Sequence, residues 1–214
     1  MLIVVGGHTR NIGKTSVAAA IITAFPEMNW TAVKITQFGH GLCSTEGSAC
    51  DCAPAPGETA AHPLALSEEY DAHSGTDSGR FLNAGAKRAY WLRTAIGELG
   101  HALPALRRIR GEAQNLIVES NSVMQFLKAD LYLCVVDFSN SDFKPTSLRY
   151  LDRADALVVT GGEPARPAWS GVAPSLWSNK PRFAVSAPHW MTEELRGRIL
   201  LWCAHLSRPS LSSS

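Results

Sequence analysis

The sequence has no long apolar run and almost no net charge. A membrane-spanning helix requires an apolar run of about eighteen residues, and none of the hydrophobic stretches is nearly that long, so no such helix is expected. Twenty Lys and Arg against nineteen Asp and Glu leave a formal charge of +1, which provides no electrostatic footprint for nucleic acid or an anionic membrane. We therefore expect neither nucleic acid nor a membrane as a partner.

The chain is also poor in cysteine and lacks a basic segment before its first apolar run. Five cysteines, an odd number in 214 residues, do not suggest a disulfide framework. Since the N-terminus passes directly into an apolar run, no signal peptide is expected, and the chain is predicted to be cytoplasmic. No repeat or linker divides it, so one domain is expected over 1–206, followed by a frayed tail over 207–214.

The first sixteen residues carry the main motif. Residues 2–5 form an apolar run typical of a strand buried on both faces of a parallel sheet, and residues 17–25 predict a helix that ends before Pro26. Between them lies a loop bounded by Gly7 and Gly13 that ends in Gly-Lys-Thr. A strand, a glycine-bounded loop and a helix are the setting of a phosphate-binding loop.

The residue types of this loop suit a nucleoside triphosphate. Lys14 would place its charge on the β- and γ-phosphates, and the Thr15 hydroxyl would bind Mg²⁺. The backbone N–H groups of residues 9–15 can form an anion-binding nest at the start of the helix. Five residues separate Gly7 from Gly13, one more than the usual spacing. The predicted nucleotide-binding residues are Gly7, His8, Thr9, Arg10, Asn11, Ile12, Gly13, Lys14, Thr15 and Ser16.

Further apolar runs predict an α/β fold of the P-loop NTPase type, a mostly parallel sheet of six or seven strands with helices on both faces. The predicted strands cover residues 2–5, 31–36, 88–92, 115–119, 129–136, 156–160 and 183–186, and the main helices cover 17–25, 77–86, 94–110, 145–153 and 192–206. The helix over 94–110 could be bent or broken at Pro104. Asp77 or Ser78 is the expected cap of the second helix. Residues 37–76 show no regular pattern, which predicts a functional loop, a lid or a small cysteine-bearing insertion.

Polar residues lie at the strand ends where a parallel sheet binds its ligands. Lys34 could contact the γ-phosphate or a substrate carboxylate, or simply face solvent. Three carboxylates could complete a Mg²⁺ site with Thr15, in the order of preference Glu119, Asp77 and Asp137, unless they only cap helices or face solvent. The predicted catalytic residues are Lys14, Lys34 and Glu119, and the predicted Mg²⁺ ligands are Thr15, Asp77 and Glu119.

A second possible metal site lies within residues 37–76. His40, Cys43, Cys50 and Cys52 would make a Cys₃His set of the kind that binds Zn²⁺ tetrahedrally. Two, six and one residues intervene between them, a spacing that matches no pair of zinc knuckles. Thiols without a metal, including redox-active ones, are the alternative.

Together these residues resemble the P-loop family of the molybdopterin-guanine dinucleotide biosynthesis protein MobB. Asp77-Ser78, Arg80 and Ala84-Gly85-Ala86 are similar to the Lys-Asp-Ser…Ala-Gly-Ala segment of that family, and Lys34 in Val-Lys-Ile-Thr resembles its Lys-His-Thr. Dethiobiotin synthetase and the cobyrinic acid amide synthases are similar more loosely, the synthetase through its glycine spacing. Residues 116–119, Leu-Ile-Val-Glu, resemble the Val-Glu-Gly strand end of both families. The resemblance covers roughly residues 1 to 120.

The resemblance implies a Mg²⁺-dependent NTPase that uses GTP and assists a cofactor-maturation protein as a homodimer. Lys14 and Thr15 would hold the triphosphate and Mg²⁺, and Asp77 and Glu119 would complete the metal site. No Asn-Lys-x-Asp base-reading motif is present, so ATP stays possible. One alternative is an ATP-dependent ligase or kinase similar to dethiobiotin synthetase, with the substrate carboxylate near Lys34. The other is a metal or redox carrier whose cysteine loop acts under nucleotide control.

Overall fold

The structure is a computed structural model that describes residues 1–38, 64–162 and 166–206. Its strands are β1 (Leu2–Gly7), β2 (Trp30–Phe38), β3 (Leu64–Glu69), β4 (Arg88–Ala95), β5 (Asn115–Glu119), β6 (Leu131–Val136), β7 (Ala156–Val159) and β8 (Arg182–Ala184). Its α-helices are α1 (Lys14–Ala24), α2 (Asp77–Asn83), α3 (Leu103–Glu112), α4 (Pro145–Tyr150) and α5 (Glu193–Leu206). No helix in these ranges is long and apolar enough to cross a membrane.

The eight strands form one sheet in the order β3-β4-β2-β5-β1-β6-β7-β8. Every neighbouring pair is parallel except β3 and β4. The central strands β1, β5, β6 and β7 are buried along their whole length, as expected where helices cover both faces of a parallel sheet. The predicted fold class is confirmed.

Two apolar cores lie on the two faces of the sheet. Alternate residues of β1 are divided between them because successive side chains of a strand point to opposite faces. Ile3 packs in the core that contains Ile21 of α1, whereas Leu2 and Val4 pack in the core that contains Leu106 of α3. Burying each such side chain contributes roughly 1.5–3 kcal/mol, so the sheet is a firm platform for the loops at its edge.

The sheet has one strand more than the six or seven predicted. β3 pairs antiparallel with β4 at the sheet edge, from Leu64 opposite Thr94 to Glu69 opposite Ala89. All six of its residues are only half-buried, and its sequence, Leu-Ala-Leu-Ser-Glu-Glu, lacks the continuous apolar run of a central strand. The segment 37–76, predicted to be irregular, therefore contains a strand over Leu64–Glu69.

Two predicted helix boundaries are wrong. β4 continues to Ala95 and a 3₁₀ helix over Glu98–Ala102 precedes α3, so no single helix runs over 94–110. Pro104 lies in the first turn of α3, where its missing N–H removes no helical hydrogen bond. The cap of α2 is Thr76, whose hydroxyl accepts a hydrogen bond from the Gly79 N–H at 3.0 Å. Asp77 is therefore not used as a cap.

Candidate functional site

The loop between β1 and α1 lies at the carboxyl edge of the sheet. It makes two turns through left-handed backbone conformations, at Asn11 with φ 56° and at Gly13 with φ 89°. The Trp190 ring covers Gly13, since a Cβ placed there would lie 2.5 Å from that ring. Glycine is therefore required at position 13 both by its backbone angle and by the packing of its neighbour.

Lys14, the first residue of α1, carries a positive charge that the protein leaves largely uncompensated. Its ammonium group donates a hydrogen bond to the Thr9 carbonyl oxygen at 2.7 Å. Among the described residues, no carboxylate lies within 4.0 Å of it. Burial lowers the pKa of Lys14 from 10.5 to about 8, and the positive charges of Lys34 and Lys144 contribute, against the opposing influence of Glu119. An anion bound in the loop would relieve this cost.

Thr15, Lys34, Asp77 and Glu119 form a charged group beside the loop, which we call the Lys34 cluster. The register of β2 and β5 places Lys34 opposite Glu119. The Lys34 Nζ lies 2.5 Å from Glu119 Oε1 and 2.7 Å from Asp77 Oδ2. The Thr15 hydroxyl donates to Glu119 Oε2 at 2.7 Å. Four residues that are distant in the sequence thus converge at the start of α1.

Opposite charges compensate for burial within the Lys34 cluster. Burial by itself would lower the pKa of Lys34, but Glu119 and Asp77 hold it above its ordinary value. Burial would likewise raise the pKa of Asp77, but Lys34 holds it below its ordinary value. The Lys34 ammonium thus lies between the two carboxylates predicted to bind Mg²⁺. The hydroxyl and carboxylate oxygens collected there are the ligand type that Mg²⁺ requires.

Arg80 of α2 connects the Lys34 cluster to Ser16 of α1. Its Nη2 donates to the Ser16 hydroxyl at 2.8 Å, and its Nη1 lies 3.6 Å from Asp77 Oδ1. Ser16, predicted to bind nucleotide, therefore contacts α2 through its side chain. The contact joins α1 to α2 next to the predicted phosphate position.

His8 is fully buried and connects the loop to the segment that follows β6. Its Nε2 accepts a hydrogen bond from the Asp137 N–H at 3.0 Å, so the proton of the neutral ring is on Nδ1, which donates to the Asp142 carbonyl at 2.7 Å. Burial lowers the pKa of His8, which favours this neutral form. Both ring nitrogens are engaged and the backbone N–H donates to the Val135 carbonyl oxygen at 3.1 Å, so no N–H group of His8 is free for a nucleotide.

Two residues next to the loop, Asn121 and Lys144, are not among the predicted site residues. The Asn121 amide pairs with both sides of Gly7, donating to its carbonyl oxygen and accepting from its N–H, each at 2.8 Å. Burial lowers the pKa of Lys144, and the positive charge of Arg10 lowers it further. The backbone N–H of Lys144 donates to the His8 carbonyl oxygen at 2.8 Å. The only signals in the sequence were an amide two residues beyond Glu119 and a Lys-Pro pair at the start of a helix.

Comparison with solved structures identifies the fold. Neither a known protein family nor a curated protein matches the sequence. HypB from Helicobacter pylori, determined in complex with nickel, has a similar structure, with a TM-score of 0.53 over 99% of this chain and 91% of that chain at 13% identity. The chain has the P-loop NTPase fold. Its β1–α1 loop is the P-loop of that fold.

Two further solved structures are less similar. LpxK from Aquifex aeolicus in complex with ATP has a TM-score of 0.46 at 15% identity, over 86% of this chain and 53% of that chain. A chain of the MinC:MinD cell division protein complex from Aquifex aeolicus has a TM-score of 0.32 at 15% identity, over 76% and 69%.

The remaining predicted ligands have no described contact with Thr15 or lie outside the described residues. The Asp137 carboxylate accepts hydrogen bonds from the Ser139 N–H and hydroxyl, and no described contact joins it to Thr15. Over the ranges that the structure describes, no group of three His, Cys, Asp or Glu could hold a metal ion. The predicted Zn²⁺ set lies outside these ranges and stays a prediction; it consists of His40, Cys43, Cys50 and Cys52.

Proposed function

We propose that the chain binds a Mg²⁺-nucleoside triphosphate at the P-loop and hydrolyses it. The observation that carries this proposal is the uncompensated, partly buried charge of Lys14 at the N-terminus of α1, next to the oxygens of Thr15, Asp77 and Glu119. A polyphosphate would neutralise that charge and accept hydrogen bonds from the loop N–H groups. Neither a structural helix start nor a purely stabilising ion pair needs both features.

Each residue would then have one task. Lys14 binds the β- and γ-phosphate oxygens, and the oxygens of Thr15, Asp77 and Glu119 hold Mg²⁺ directly or through water. Mg²⁺ held by these oxygens would neutralise charge on the phosphate oxygens. Lys34 moves from between the two carboxylates towards the γ-phosphate, where its charge stabilises the negative charge that develops during transfer. The chemistry is positioning and charge neutralisation.

A narrower proposal specifies a MobB-like protein that uses GTP, acts as a homodimer and assists biosynthesis of a molybdenum-type cofactor. It is supported by the resemblance at Asp77-Ser78, Arg80 and Ala84-Gly85-Ala86. The contacts of Asp77 with Lys34 and of Arg80 with Ser16 add a reason for these residue types beside the P-loop.

A second candidate is an ATP-dependent ligase or kinase that transfers the γ-phosphate to a small acceptor. It is favoured by the polar row that continues from Lys34 across β4 to β3, formed by Trp91 and Ser67. Hydrolysis alone gives no reason for such a row.

Titration with labelled GTP and ATP, with and without Mg²⁺, tests the proposed function. The Lys14→Ala variant is compared with Lys87→Ala, which alters an exposed lysine outside the site. We expect Mg²⁺-dependent binding that Lys14→Ala weakens by about 100-fold or more and Lys87→Ala leaves unchanged. Failure of the wild-type protein to bind either nucleotide would contradict the proposal.

Three further readouts of the same preparations separate the narrower alternatives. A preference for GTP supports the MobB-like proposal, whereas turnover of ATP that requires an added acceptor supports the ligase or kinase. Glu119→Gln and Lys34→Ala should retain nucleotide binding better than Lys14→Ala but lose phosphate release. Bound metal that disappears when Cys43, Cys50 and Cys52 are replaced would support the carrier.

A further inference from the structure

A buried arginine lies on the face of the sheet that carries Lys34. Arg93 of β4 is only 7% exposed. One of its terminal nitrogens donates to the Ser67 hydroxyl of β3, and its guanidinium group lies 4.5 Å from the centre of the Trp91 ring. Within the described part of the chain, its Nε has no hydrogen-bond partner and no carboxylate pairs with it.

A buried guanidinium group without an anion is costly, because a hydroxyl and an aromatic face replace only part of its hydration. Arg88 on the same strand shows the contrast. It is exposed, yet it forms salt bridges with both Glu68 and Glu112, at 2.8 and 3.1 Å. The arginine that needs a counter-charge least has two, and the one that needs it most has none among the described residues. A buried arginine without a counter-charge is favourable for binding an anionic ligand.

The strand register connects Arg93 to the P-loop site. Ser67 lies opposite Trp91, Trp91 opposite Lys34, and Lys34 opposite Glu119, so these side chains form one row on one face. The Arg93 guanidinium group lies over Trp91 and contacts Ser67. Since neighbouring strands are about 4.8 Å apart, Ser67 and Lys34, two strands apart, are separated by roughly 10 Å.

We propose that Arg93, Trp91 and Ser67, here called the Arg93 site, bind an oxyanion at one end of a small-molecule acceptor whose other end lies at Lys34. This inference rests on the proposed function, which places Lys34 at the γ-phosphate. The acceptor carries a carboxylate or phosphate group about 10 Å from its reacting group.

The parts of the Arg93 site have distinct tasks. The guanidinium group presents Nε and a terminal nitrogen as a planar pair of donors that matches two oxygens of a carboxylate or phosphate. Trp91 holds the plane of that group through its ring, and its own Nε1 donates to the Thr36 hydroxyl at 3.0 Å, which fixes the ring. The Ser67 hydroxyl accepts from Nη2, the terminal nitrogen on the same edge as Nε, which has a second N–H, and Nε itself has no partner among the described residues.

Binding of two anionic probes tests the Arg93 site. The protein is first saturated with a Mg²⁺-nucleoside diphosphate so that the P-loop is filled, and inorganic phosphate or suberate, a linear dicarboxylate, is then titrated at constant ionic strength. Binding is measured by calorimetry and by tryptophan fluorescence. We expect Arg93→Gln to weaken probe binding by about 10- to 100-fold, while Arg88→Gln, the matched control on the same strand, leaves it unchanged.

The two probes also identify the anion. Tighter binding of suberate assigns a carboxylate to the acceptor, and tighter binding of phosphate assigns a phosphate group. If Arg93→Gln does not fold, Arg93→Lys gives the same test, because lysine keeps the charge but lacks the planar donor pair and should also bind the probes more weakly.

Equal probe binding by the wild-type protein and the Arg93 variant, or no probe binding by the wild type, would overturn the inference. Nucleotide binding is measured on the same samples. If the protein binds nucleotide but neither probe, the Arg93 site is contradicted and the proposed function is not. If the protein binds a probe through Arg93 but binds no nucleotide, the anion site is supported and the proposed function is contradicted.

Discussion

Two lysines at the same edge of the sheet are held in opposite ways. Lys14 contacts a carbonyl oxygen in the P-loop, and burial lowers its pKa to about 8. Lys34 is 17% exposed and contacts two carboxylates, Glu119 and Asp77, which hold its pKa above the ordinary value in spite of burial. Similar burial thus has opposite consequences for the two ammonium groups.

This difference separates a charge that the fold leaves largely uncompensated from a charge that the fold compensates. A bound anion would relieve the free energy cost of the buried Lys14 charge, as the proposed binding of phosphate requires. The charge of Lys34 is already compensated by Glu119 and Asp77, so in the proposed function Mg²⁺ or a substrate would have to rearrange an existing ion pair. The four predictions that follow test this contrast, from the largest expected effect to the smallest.

Lys34→Met should destabilise the protein by about 3–5 kcal/mol, because it leaves the Glu119 carboxylate buried without its counter-charge. The Glu119 side chain is only 2% exposed, so water cannot replace the lysine. Chemical denaturation measures the change. The double variant Lys34→Met/Glu119→Leu should recover most of the lost free energy of unfolding. If the single variant unfolds at the same denaturant concentration as the wild type, Lys34 does not stabilise the fold.

Lys14→Met should have the opposite sign and stabilise the ligand-free protein by about 1–3 kcal/mol at neutral pH, because it removes a partly buried charge with a depressed pKa. The same variant should lose nucleotide binding. Thermal unfolding with and without nucleotide measures both effects. Destabilisation by Lys14→Met would mean that its charge is compensated in the folded protein, and the contrast with Lys34 would fail.

The pH dependence should follow Lys14. Its pKa is about 8 in the folded protein and near 10.5 in the unfolded chain, so the unfolded chain binds more protons between these values. This group therefore makes the free energy of unfolding rise with pH across that window. Because phosphate favours the protonated lysine, the nucleotide dissociation constant should increase about tenfold from pH 7 to pH 9.

Lys14→Arg is the control for this titration, since arginine stays protonated throughout the range. Its nucleotide dissociation constant should change much less between pH 7 and pH 9. A flat profile for the wild-type protein would show that Lys14 does not titrate there. Lys34 contributes in the opposite direction, because its raised pKa gives stability that is complete below 10.5 and is lost as pH rises through the folded value.

Asp77→Asn should have the smallest effect on stability, less than about 1 kcal/mol, because the Asp77 side chain is 39% exposed and water screens its pairing with Lys34. Its effect on Mg²⁺ should be larger than its effect on folding. We expect the Mg²⁺ concentration needed for nucleotide binding to rise severalfold, as measured by Mg²⁺ titration at fixed nucleotide. The exposed carboxylate Glu98 provides the control variant Glu98→Gln.

The strength of the sequence signal decided which elements could be predicted. The central strands are continuous apolar runs because both faces are buried, and β5 was predicted with its observed bounds, Asn115–Glu119. β3 was missed because an edge strand with half-buried residues carries no such run. The start of α3 was misplaced because a 3₁₀ turn and a Pro in the first helical turn do not alter the local periodicity.

The site divides in the same way. Lys14 and Thr15 could be predicted from one short segment, because a phosphate-binding loop needs Gly-Lys-Thr between a buried strand and a helix. Lys34, Asp77 and Glu119 were selected as polar residues near the ends of segments, without knowledge that they touch. The contacts of His8 with residues after β6, of Asn121 with Gly7 and of Arg93 with Ser67 had no comparable pattern.

The sequence by itself determined the alternation of strands and helices and the loop that ends in Gly-Lys-Thr, because both follow from periodicity and spacing within a few residues. Only the tertiary structure decided that Lys34 contacts Glu119 and Asp77, that Lys14 contacts no described carboxylate, and that Arg93 is buried. These facts depend on which strands are neighbours and in what register, and β2 pairs with β5 and β4 across more than fifty residues of sequence. Charge compensation is a property of that arrangement, and so is the chemistry that follows from it.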